Sequence, residues 1–195
     1  MKVILAVASI ALLGVCFVSM KPAEAQVPAS ATQTHSFWVK ITGSKIGTFR
    51  GETTLKGRES SVEGFRFSYQ VTSPRDVATG LPSGRRQHSP ITFTKLWGPA
   101  SPQIFQACVT NEILSTVRFE FWKTIPSGQQ VIYQTITLTN ASISTVRRYV
   151  AVASAGDPPD PRDLEDVTFT FQKIEIQDNA SGGAGASDTW VAPAA

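Results

Sequence analysis

Three kinds of side chain in this sequence could take part in chemistry: a cysteine, two histidines and a series of aspartates. Cys108 is the only cysteine beyond the first twenty residues, and it lies in a segment of helical apolar spacing, "SPQIFQACV". A nucleophilic thiolate needs an exposed, electropositive setting and a neighbouring base. Neither His35 nor His88 stands in a recognisable catalytic motif. We therefore interpret Cys108 as a packed core residue, since free cysteine is among the most buried residue types.

The aspartates recur at every third position of one proline-rich segment: Asp157, Asp160, Asp163 and Asp166. A calcium loop would place its oxygen ligands on closer, alternate positions with a glycine at the turn. The intervening prolines also prevent a helix that would align these carboxylates on one face. One cysteine and two histidines do not make a metal-ligand cluster either. The segment at 154–166 is thus predicted to be a solvated acidic loop without a metal.

Charge and motifs exclude several classes of function. The formal net charge of +3 is too small to indicate nucleic-acid binding. The basic pairs at 85–86 and 147–148 have no aromatic residues interleaved with them, and we interpret them as exposed strand ends. No phosphate loop, nucleophile elbow or paired-carboxylate motif is present. The sequence therefore predicts a non-enzymatic protein with no catalytic, cofactor-binding or metal-binding residues.

Residues 1–25 have the three-part organisation of a secretory signal peptide. A positively charged start precedes an apolar run, and the small residues of "AEA" follow. We predict cleavage after Ala25 and export to the periplasm or the cell exterior, with no membrane attachment afterwards. The alternatives are an uncleaved anchor, because the apolar run could nearly span a bilayer, and lipidation of Cys16. The second is weaker, because Val15 stands where such sites carry a small residue.

The remaining chain of about 170 residues suits one domain. A single cysteine cannot form an internal disulfide, so a packed core must stabilise the fold. The 42% of hydrophobic residues and the eleven phenylalanines make such a core feasible. We divide this part into a flexible segment at 26–35, a β-domain at 36–177, and a Gly/Ala/Ser-rich tail at 178–195. Trp190 is the tail's one large anchor candidate.

Alternating apolar residues predict seven strands, separated by turn-rich segments, at 36–42, 61–71, 89–97, 114–123, 131–140, 141–153 and 167–176. In the second strand, Phe65 and Val71 share one face with two other aromatic residues. In the last strand the apolar parity shifts, which predicts a β-bulge near Gln172-Lys173. Segments 43–59 and 72–86 are rich in glycine, proline or charge and are predicted to be loops.

One short helix is predicted at about 101–111. Ser101 suits the N-cap, and Pro102 suits the first helical position, where its missing N–H costs nothing. The apolar side chains form one broad arc, namely Ile104, Phe105 and Cys108, flanked by Ala107 and Val109. A helix with such a face must pack on another element. In a β-protein we expect it to cover the open end or face of a sheet or barrel.

An ordered set of segments resembles the Hcp family, the tube protein of bacterial type VI secretion systems. The segments read "HSPITFTKLWGPASPQIFQACVTNEILSTVRFEFWK", "VIYQTITLTNASISTV" and "DLEDVTFTFQKIEI". The matching positions are Thr94-Lys95, Ser101-Pro102, Ala107, Phe119, Phe121, Tyr133, Leu138, Val167 to Ile176, and Trp190. The likeness extends over roughly residues 36–190.

This resemblance implies a tight β-barrel of two sheets with one short α-helix. It further implies a structural role in a ring of six copies that can stack into tubes, with other secretion-apparatus or effector proteins as further partners. In such a ring, the loop at 43–59 would lie at an edge and contact the neighbouring ring. The signal peptide is a departure, because tube subunits of this family are usually assembled without one.

The alternative is an exported monomeric β-barrel that binds a ligand or adheres to a surface. Trp38, Trp97 and Trp122 would then form an aromatic platform for sugars.

Overall fold

The computed structural model describes residues 36–151, 162–180 and 183–190. Its elements in chain order are β1 (Ser36–Gly43), β2 (Gly47–Thr48), β3 (Val62–Gly64), β4 (Arg66–Ser68), β5 (Val71–Thr72), β6 (Gln87–His88), β7 (Ile91–Leu96), α1 (Ser101–Val109), β8 (Leu114–Thr124), β9 (Gln130–Ala151), β10 (Arg162–Thr170), β11 (Lys173–Asp178) and β12 (Gly185–Thr189). The predicted signal peptide at 1–25 and the segment at 26–35 lie outside the described residues.

The strands form two antiparallel sheets that share β9. Hydrogen bonds connect them in the order β2-β1-β8-β9-β10-β7-β4, with β3 beside β1, and with β11 and β12 beside β9. The first half of β9 pairs with β8 and β11, and its second half pairs with β10. Between the halves, Asn140 has a positive φ of 50°, a conformation that asparagine tolerates better than most residues. The prediction of a mainly β, two-sheet fold with one short helix is confirmed.

The core is an aromatic cluster centred on Phe119. Its ring lies against four others, at centroid distances of 5.3 Å from Phe67, 5.9 Å from Phe93, 6.2 Å from Phe169 and 6.5 Å from Phe37. These rings come from β1, β4, β7 and β10, so residues from both sheets meet at one side chain. The edge-to-face arrangements are those that aromatic quadrupoles favour.

The strand predicted at 61–71 is not continuous, because it is divided into short strands that pair with different partners. The chain pairs with β1 through β3, then crosses to the other sheet and pairs with β7 through β4. The crossing occurs beside Gly64, where an added Cβ would lie only 2.0 Å from a ring carbon of Phe37. This change of sheet leaves Phe65 and Val71 about half exposed, against the alternation that the sequence shows.

The parity shift near Gln172-Lys173 has a different cause from the predicted bulge. β10 ends at Thr170 beside β7 and β9, and β11 starts at Lys173 beside the first half of β9. The chain therefore changes sheets at this point, and the inward parity changes with it. Part of the predicted tail also differs from expectation, because Gly185–Thr189 forms β12 against β11.

The prediction of an acidic loop at 154–166 is wrong at its C-terminal end. β10 already begins at Arg162, so Asp163 and Asp166 are strand residues. Asp166 Oδ1 accepts hydrogen bonds from Thr94 Oγ1 at 2.7 Å and from the Tyr149 hydroxyl at 3.2 Å. Pairing with β7 and β9 thus overrides the local turn composition. Asp157 and Asp160 lie outside the described residues.

Candidate assembly surfaces

A buried ionic cluster fixes α1 to the sheets. Lys95 Nζ on β7 lies 3.1 Å from Glu165 Oε1 on β10, and both side chains are fully buried. The Ser101 hydroxyl donates to the same carboxylate oxygen at 2.8 Å and accepts from Lys95 Nζ at 3.0 Å. From β9, Arg148 donates to Glu165 Oε2 and to the Ser101 carbonyl, each at 3.0 Å. The first residue of the helix is therefore held by three strands.

This cluster corrects the predicted role of Ser101. The N-cap residue of α1 is Ala100, and no side chain caps the helix. The Ser101 side chain is instead part of the buried cluster, where its hydroxyl forms hydrogen bonds with the Glu165 carboxylate and the Lys95 ammonium group. Serine–lysine pairs can act as nucleophile and base in hydrolases. Here the pair is closed off from solvent, and the hydroxyl is committed to Glu165, so the arrangement serves to position the helix.

The helix buries a narrower face than its sequence predicts. Ile104 and Ala107 are buried, but Phe105 is 53% exposed and Val109 is 55% exposed. Both were expected within or beside the packed arc, and that expectation is wrong. Only the side of the helix that carries Ile104 and Ala107 therefore faces the core.

Two further apolar side chains continue the exposed surface at the two ends of α1. They are Trp97 before the helix and Ile113 after it, each about half exposed. The guanidinium of Arg148 lies 6.0 Å from the Trp97 ring and 5.9 Å from the Phe105 ring. We call the surface formed by Trp97, Phe105, Val109 and Ile113 the helix patch. Phe105 and Val109 lie one turn apart on the helix, and groups of exposed apolar side chains mark interaction sites.

Cys108 lies at the edge between the core and the surface. It is a free cysteine, half-buried, and packs against the core cluster rather than within it. We expect Cys108→Ala to cost about 1 kcal/mol in the free energy of unfolding, because a small, partly buried group is lost. A thiol reagent should react more slowly with the native protein than with the denatured protein. Equal rates in both states would contradict this packing.

The predicted loop at 72–86 is an ordered hairpin. β5 and β6 close its base, and a bridge between Arg75 and Pro82 continues the pairing outward. At the tip, Asp76 Oδ1 accepts hydrogen bonds from the backbone of residues 78 and 79 at 3.1 and 2.8 Å. The side chain of Val77 is fully exposed and that of Leu81 is 64% exposed. We call residues 71–88 the hairpin arm.

The C-terminal strand holds the base of the hairpin arm. His88 Nδ1 lies 2.6 Å from the Tyr69 hydroxyl, and His88 Nε2 lies 2.9 Å from Asp188 Oδ2 on β12. Arg86 donates to both carboxylate oxygens of Asp188 and to the Thr189 carbonyl. His35, the other histidine considered, lies outside the described residues.

The ring of Trp190 packs against this base, 5.4 Å from the His88 ring and 6.2 Å from the Phe171 ring. Trp190 thus contacts the base of the hairpin arm, although its side chain remains 56% exposed.

The contacts of Asp188 should make the stability of the hairpin arm's attachment to β12 depend on pH. Hydrogen bonds from Arg86 and then His88 hold the pKa of Asp188 below its ordinary value. A carboxyl group with a lowered folded-state pKa stabilises the fold above its unfolded pKa of about 3.9. That contribution to stability is lost as the pH falls through the folded-state pKa of Asp188.

We expect Asp188→Asn to cost about 1 kcal/mol at neutral pH, because charge-assisted hydrogen bonds are lost. The difference from the wild type should shrink in strong acid. Unfolding followed between pH 7 and pH 2 measures it, with Asp163→Asn as a control at an exposed carboxylate. Identical pH profiles for Asp188→Asn and the wild type would contradict the assignment.

The three tryptophans considered for a sugar platform do not come together as one. Trp38 is buried, and the Arg58 guanidinium lies 3.9 Å from the centroids of both the Trp38 and Trp122 rings. Burial lowers the pKa of Arg58, while the charges of Glu120 and Glu63 oppose that shift. Trp97 belongs to the helix patch. The aromatic faces of Trp38 and Trp122 are thus occupied by an arginine.

The glycine-rich loop at 43–59 is anchored at its start. The buried Glu112 accepts hydrogen bonds through Oε1 from the backbone N–H groups of Lys45 at 2.7 Å and Ile46 at 2.8 Å. The Lys45 side chain itself is exposed. Within this predicted loop, Gly47–Thr48 forms the short strand β2. The turn that carries Lys45 is therefore held in place.

The residues that the structure describes contain neither a cluster of metal ligands nor a membrane-spanning helix. No group of three or more His, Cys, Asp or Glu side chains could hold a metal ion in that part of the chain. Among the same residues, no helix is long and apolar enough to cross a membrane.

Comparison with known proteins gives a consistent assignment. The model of the family described as "Type VI secretion system effector, Hcp" matches residues 38–177. A protein named "Major exported protein" from Pseudomonas aeruginosa is 34% identical over 169 residues, which cover 81% of this chain and 96% of that protein.

Two solved structures are similar in fold and sequence. A crystal structure of an Hcp protein has 27% identity and a TM-score of 0.74, and the match covers 82% of this chain and 99% of that one. The secreted protein Hcp3 from Pseudomonas aeruginosa has 28% identity and a TM-score of 0.65, with 81% and 99% covered. The family match spans both sheets, the helix and the hairpin arm, and the chain therefore belongs to the Hcp family of type VI secretion proteins.

Proposed function

We propose that the mature protein is a non-enzymatic structural subunit that associates with copies of itself into a closed ring of six. The helix patch carries this proposal, because it presents large apolar side chains to solvent from a helix that a buried ionic cluster holds rigid. Rigid, exposed apolar surfaces suit permanent subunit contacts. The number six rests on the resemblance to Hcp tube proteins, and stacking of the rings into tubes is part of the same proposal.

Light scattering combined with negative-stain microscopy on the mature protein tests the ring. At micromolar concentration we expect the mass of six copies and ring-shaped particles. A monodisperse monomer at every salt concentration would overturn the proposal. It would favour the exported, monomeric ligand-binding barrel instead.

We also propose that the general export route delivers the protein to the periplasm or beyond. The support is the organisation of residues 1–25 as a signal peptide, together with a relative that is named as an exported protein. Cleavage after Ala25 would leave residues 26–35 before the barrel domain. The intact mass of the exported protein tests this, and a chain that begins at Met1 or at a lipidated Cys16 would contradict it.

We expect Lys45→Glu to weaken the stacking of rings and to leave single rings intact. The exposed ammonium group is replaced by a carboxylate at the proposed ring edge, whereas Glu112 still binds the backbone of the turn. Sedimentation velocity should show a loss of species larger than one ring. Lys45→Arg keeps the charge and should stack like the wild type. Unchanged stacking in Lys45→Glu would exclude this loop from the contact.

A further inference from the structure

We propose that Trp38, Trp122 and Glu120 form a binding site for alkylguanidinium groups. In this structure, the chain's own Arg58 fills the site as a built-in ligand. The site lies on the face of β1 and β8 that is turned away from the aromatic core. Residues of one copy build it, so the inference does not depend on the ring proposed above. An arginine side chain of a partner protein and a small guanidinium compound share the chemistry that this site would recognise.

Alternation along two neighbouring strands brings the three side chains of the site together. Trp38 on β1 pairs directly with Glu120 on β8, and Trp122 follows two residues later on the same face of β8. The two indole rings stand nearly perpendicular, at 85°, with their centroids 6.1 Å apart. Ring faces and carboxylates both attract positive charge, so this arrangement suits an organic cation.

Arg58 indicates which cation the site accepts. Its guanidinium carbon lies 3.9 Å from the centroids of both indole rings, and the residue is buried. One of its terminal nitrogens donates a hydrogen bond to Gln130 Oε1. A guanidinium group is planar, stacks on aromatic faces and is less strongly hydrated than an ammonium group. The site should therefore prefer a guanidinium group to a lysine-like cation.

Arg58 leaves part of the site without hydrogen bonds. Among the described residues, the buried atoms Glu120 Oε2, Trp122 Nε1 and Arg58 Nε have no hydrogen-bond partner. The other oxygen of Glu120, Oε1, lies 3.0 Å from Arg118 Nε and 3.7 Å from Lys40 Nζ. Burial lowers the pKa of Arg58, although the charge of Glu120 opposes that shift. Because buried polar atoms without partners cost free energy, a ligand that also reaches Glu120 Oε2 would be bound better than Arg58 is.

The Arg58 side chain can leave the site without disrupting the backbone that carries it. Residues 51–61 form a small loop that is closed by its own hydrogen bonds. Gly51 N–H donates to the Ser60 carbonyl, and Ser60 N–H donates to the Thr53 carbonyl, each at 3.0 Å. Neither bond involves the guanidinium group. Withdrawal of the Arg58 side chain would therefore open the site and leave these bonds intact.

Emptying the site and refilling it from solution tests the proposal on the mature protein. Arg58→Ala should lower the midpoint of thermal unfolding, and ethylguanidinium should restore most of that loss. In a ¹⁵N NMR titration of this variant, the indole N–H resonances of Trp38 and Trp122 should shift, whereas those of Trp97 and Trp190 should not. The wild type should need a concentration about tenfold higher, because its own Arg58 competes at a high effective concentration. Unchanged resonances of Trp38 and Trp122 in Arg58→Ala would overturn the proposal.

Two controls test the chemistry of the site. Ethylammonium carries the same charge without the planar group, so it should bind to Arg58→Ala about tenfold more weakly than ethylguanidinium. Equal binding of the two cations would overturn the assignment to guanidinium groups. Arg118→Ala is the matched control, because Arg118 contacts the same carboxylate but is exposed. This variant should respond to ethylguanidinium like the wild type, and a site opened equally by both substitutions would also overturn the proposal.

Arg58→Lys supplies an independent measurement that keeps the positive charge of the loop. Because lysine lacks the planar group, this variant should bind ethylguanidinium more tightly than the wild type does. If Arg58→Ala does not fold, this comparison decides, and equal affinities would overturn the proposal. A Gly-Arg-Gly peptide then distinguishes the two sources of the ligand. Tighter binding of the peptide than of ethylguanidinium would support an arginine of a partner protein, and the reverse order would support a small guanidinium compound.

Discussion

Replacing Glu165 with glutamine should cost about 3–5 kcal/mol in the free energy of unfolding. The substitution keeps the volume of the side chain but removes the negative charge that faces Lys95, whose ammonium group is fully buried 3.1 Å away. Removing one partner of a buried ion pair leaves the other charge without compensation. Unfolding in guanidinium chloride, followed by tryptophan fluorescence on the mature protein, measures the loss.

The exposed pair Lys173–Glu175 supplies the control. Its atoms lie 2.7 Å apart, closer than those of the buried pair, yet both side chains are well exposed. Glu175→Gln should therefore cost no more than about 1 kcal/mol. A double replacement, Lys95→Met with Glu165→Leu, should recover much of the stability that the single change loses, because neither charge then remains. Similar costs for Glu165→Gln and Glu175→Gln would show that the buried cluster does not stabilise the fold as described.

Phe119→Ala should have a comparable effect, about 3–5 kcal/mol. The Phe119 ring contacts rings from both sheets, and its removal leaves a cavity that the rigid strands cannot fill. The same unfolding experiment measures the loss.

Phe121 provides the comparison for Phe119, because it lies two residues further along β8 and is only partly buried. Phe121→Ala should therefore cost clearly less. A larger loss of unfolding free energy for Phe121→Ala than for Phe119→Ala would contradict the placement of Phe119 at the centre of the core.

These two substitutions should also separate stability from assembly. Glu165→Gln acts on the cluster that positions α1, so it should weaken self-association beyond its effect on folding. Phe119→Ala acts on a fully buried residue of the core. Association measured at a temperature where both variants remain folded distinguishes these effects.

The amino-acid sequence by itself determined the class of this protein. Alternation in β1 places Phe37, Val39 and Ile41 inward, and all three are buried in the structure. The helix predicted at about 101–111, which the structure has at Ser101–Val109, and the family resemblance were likewise readable from the chain. These features depend on local spacing, and local spacing reports which side of an element is apolar.

Only the tertiary structure decided how those elements meet. Ser101 has the residue type of an N-cap, but Glu165, 64 positions away, accepts a hydrogen bond from its hydroxyl group. Phe105 has the spacing of a core residue, but the sheets pack against the side of α1 that carries Ile104 and Ala107, and Phe105 stays exposed. The hairpin arm looked like a loop, because the partner that holds it is Asp188, 100 positions from His88. Periodicity carries no information about such distant partners, and a buried charge or a change of sheet outweighs the local preference of one side chain.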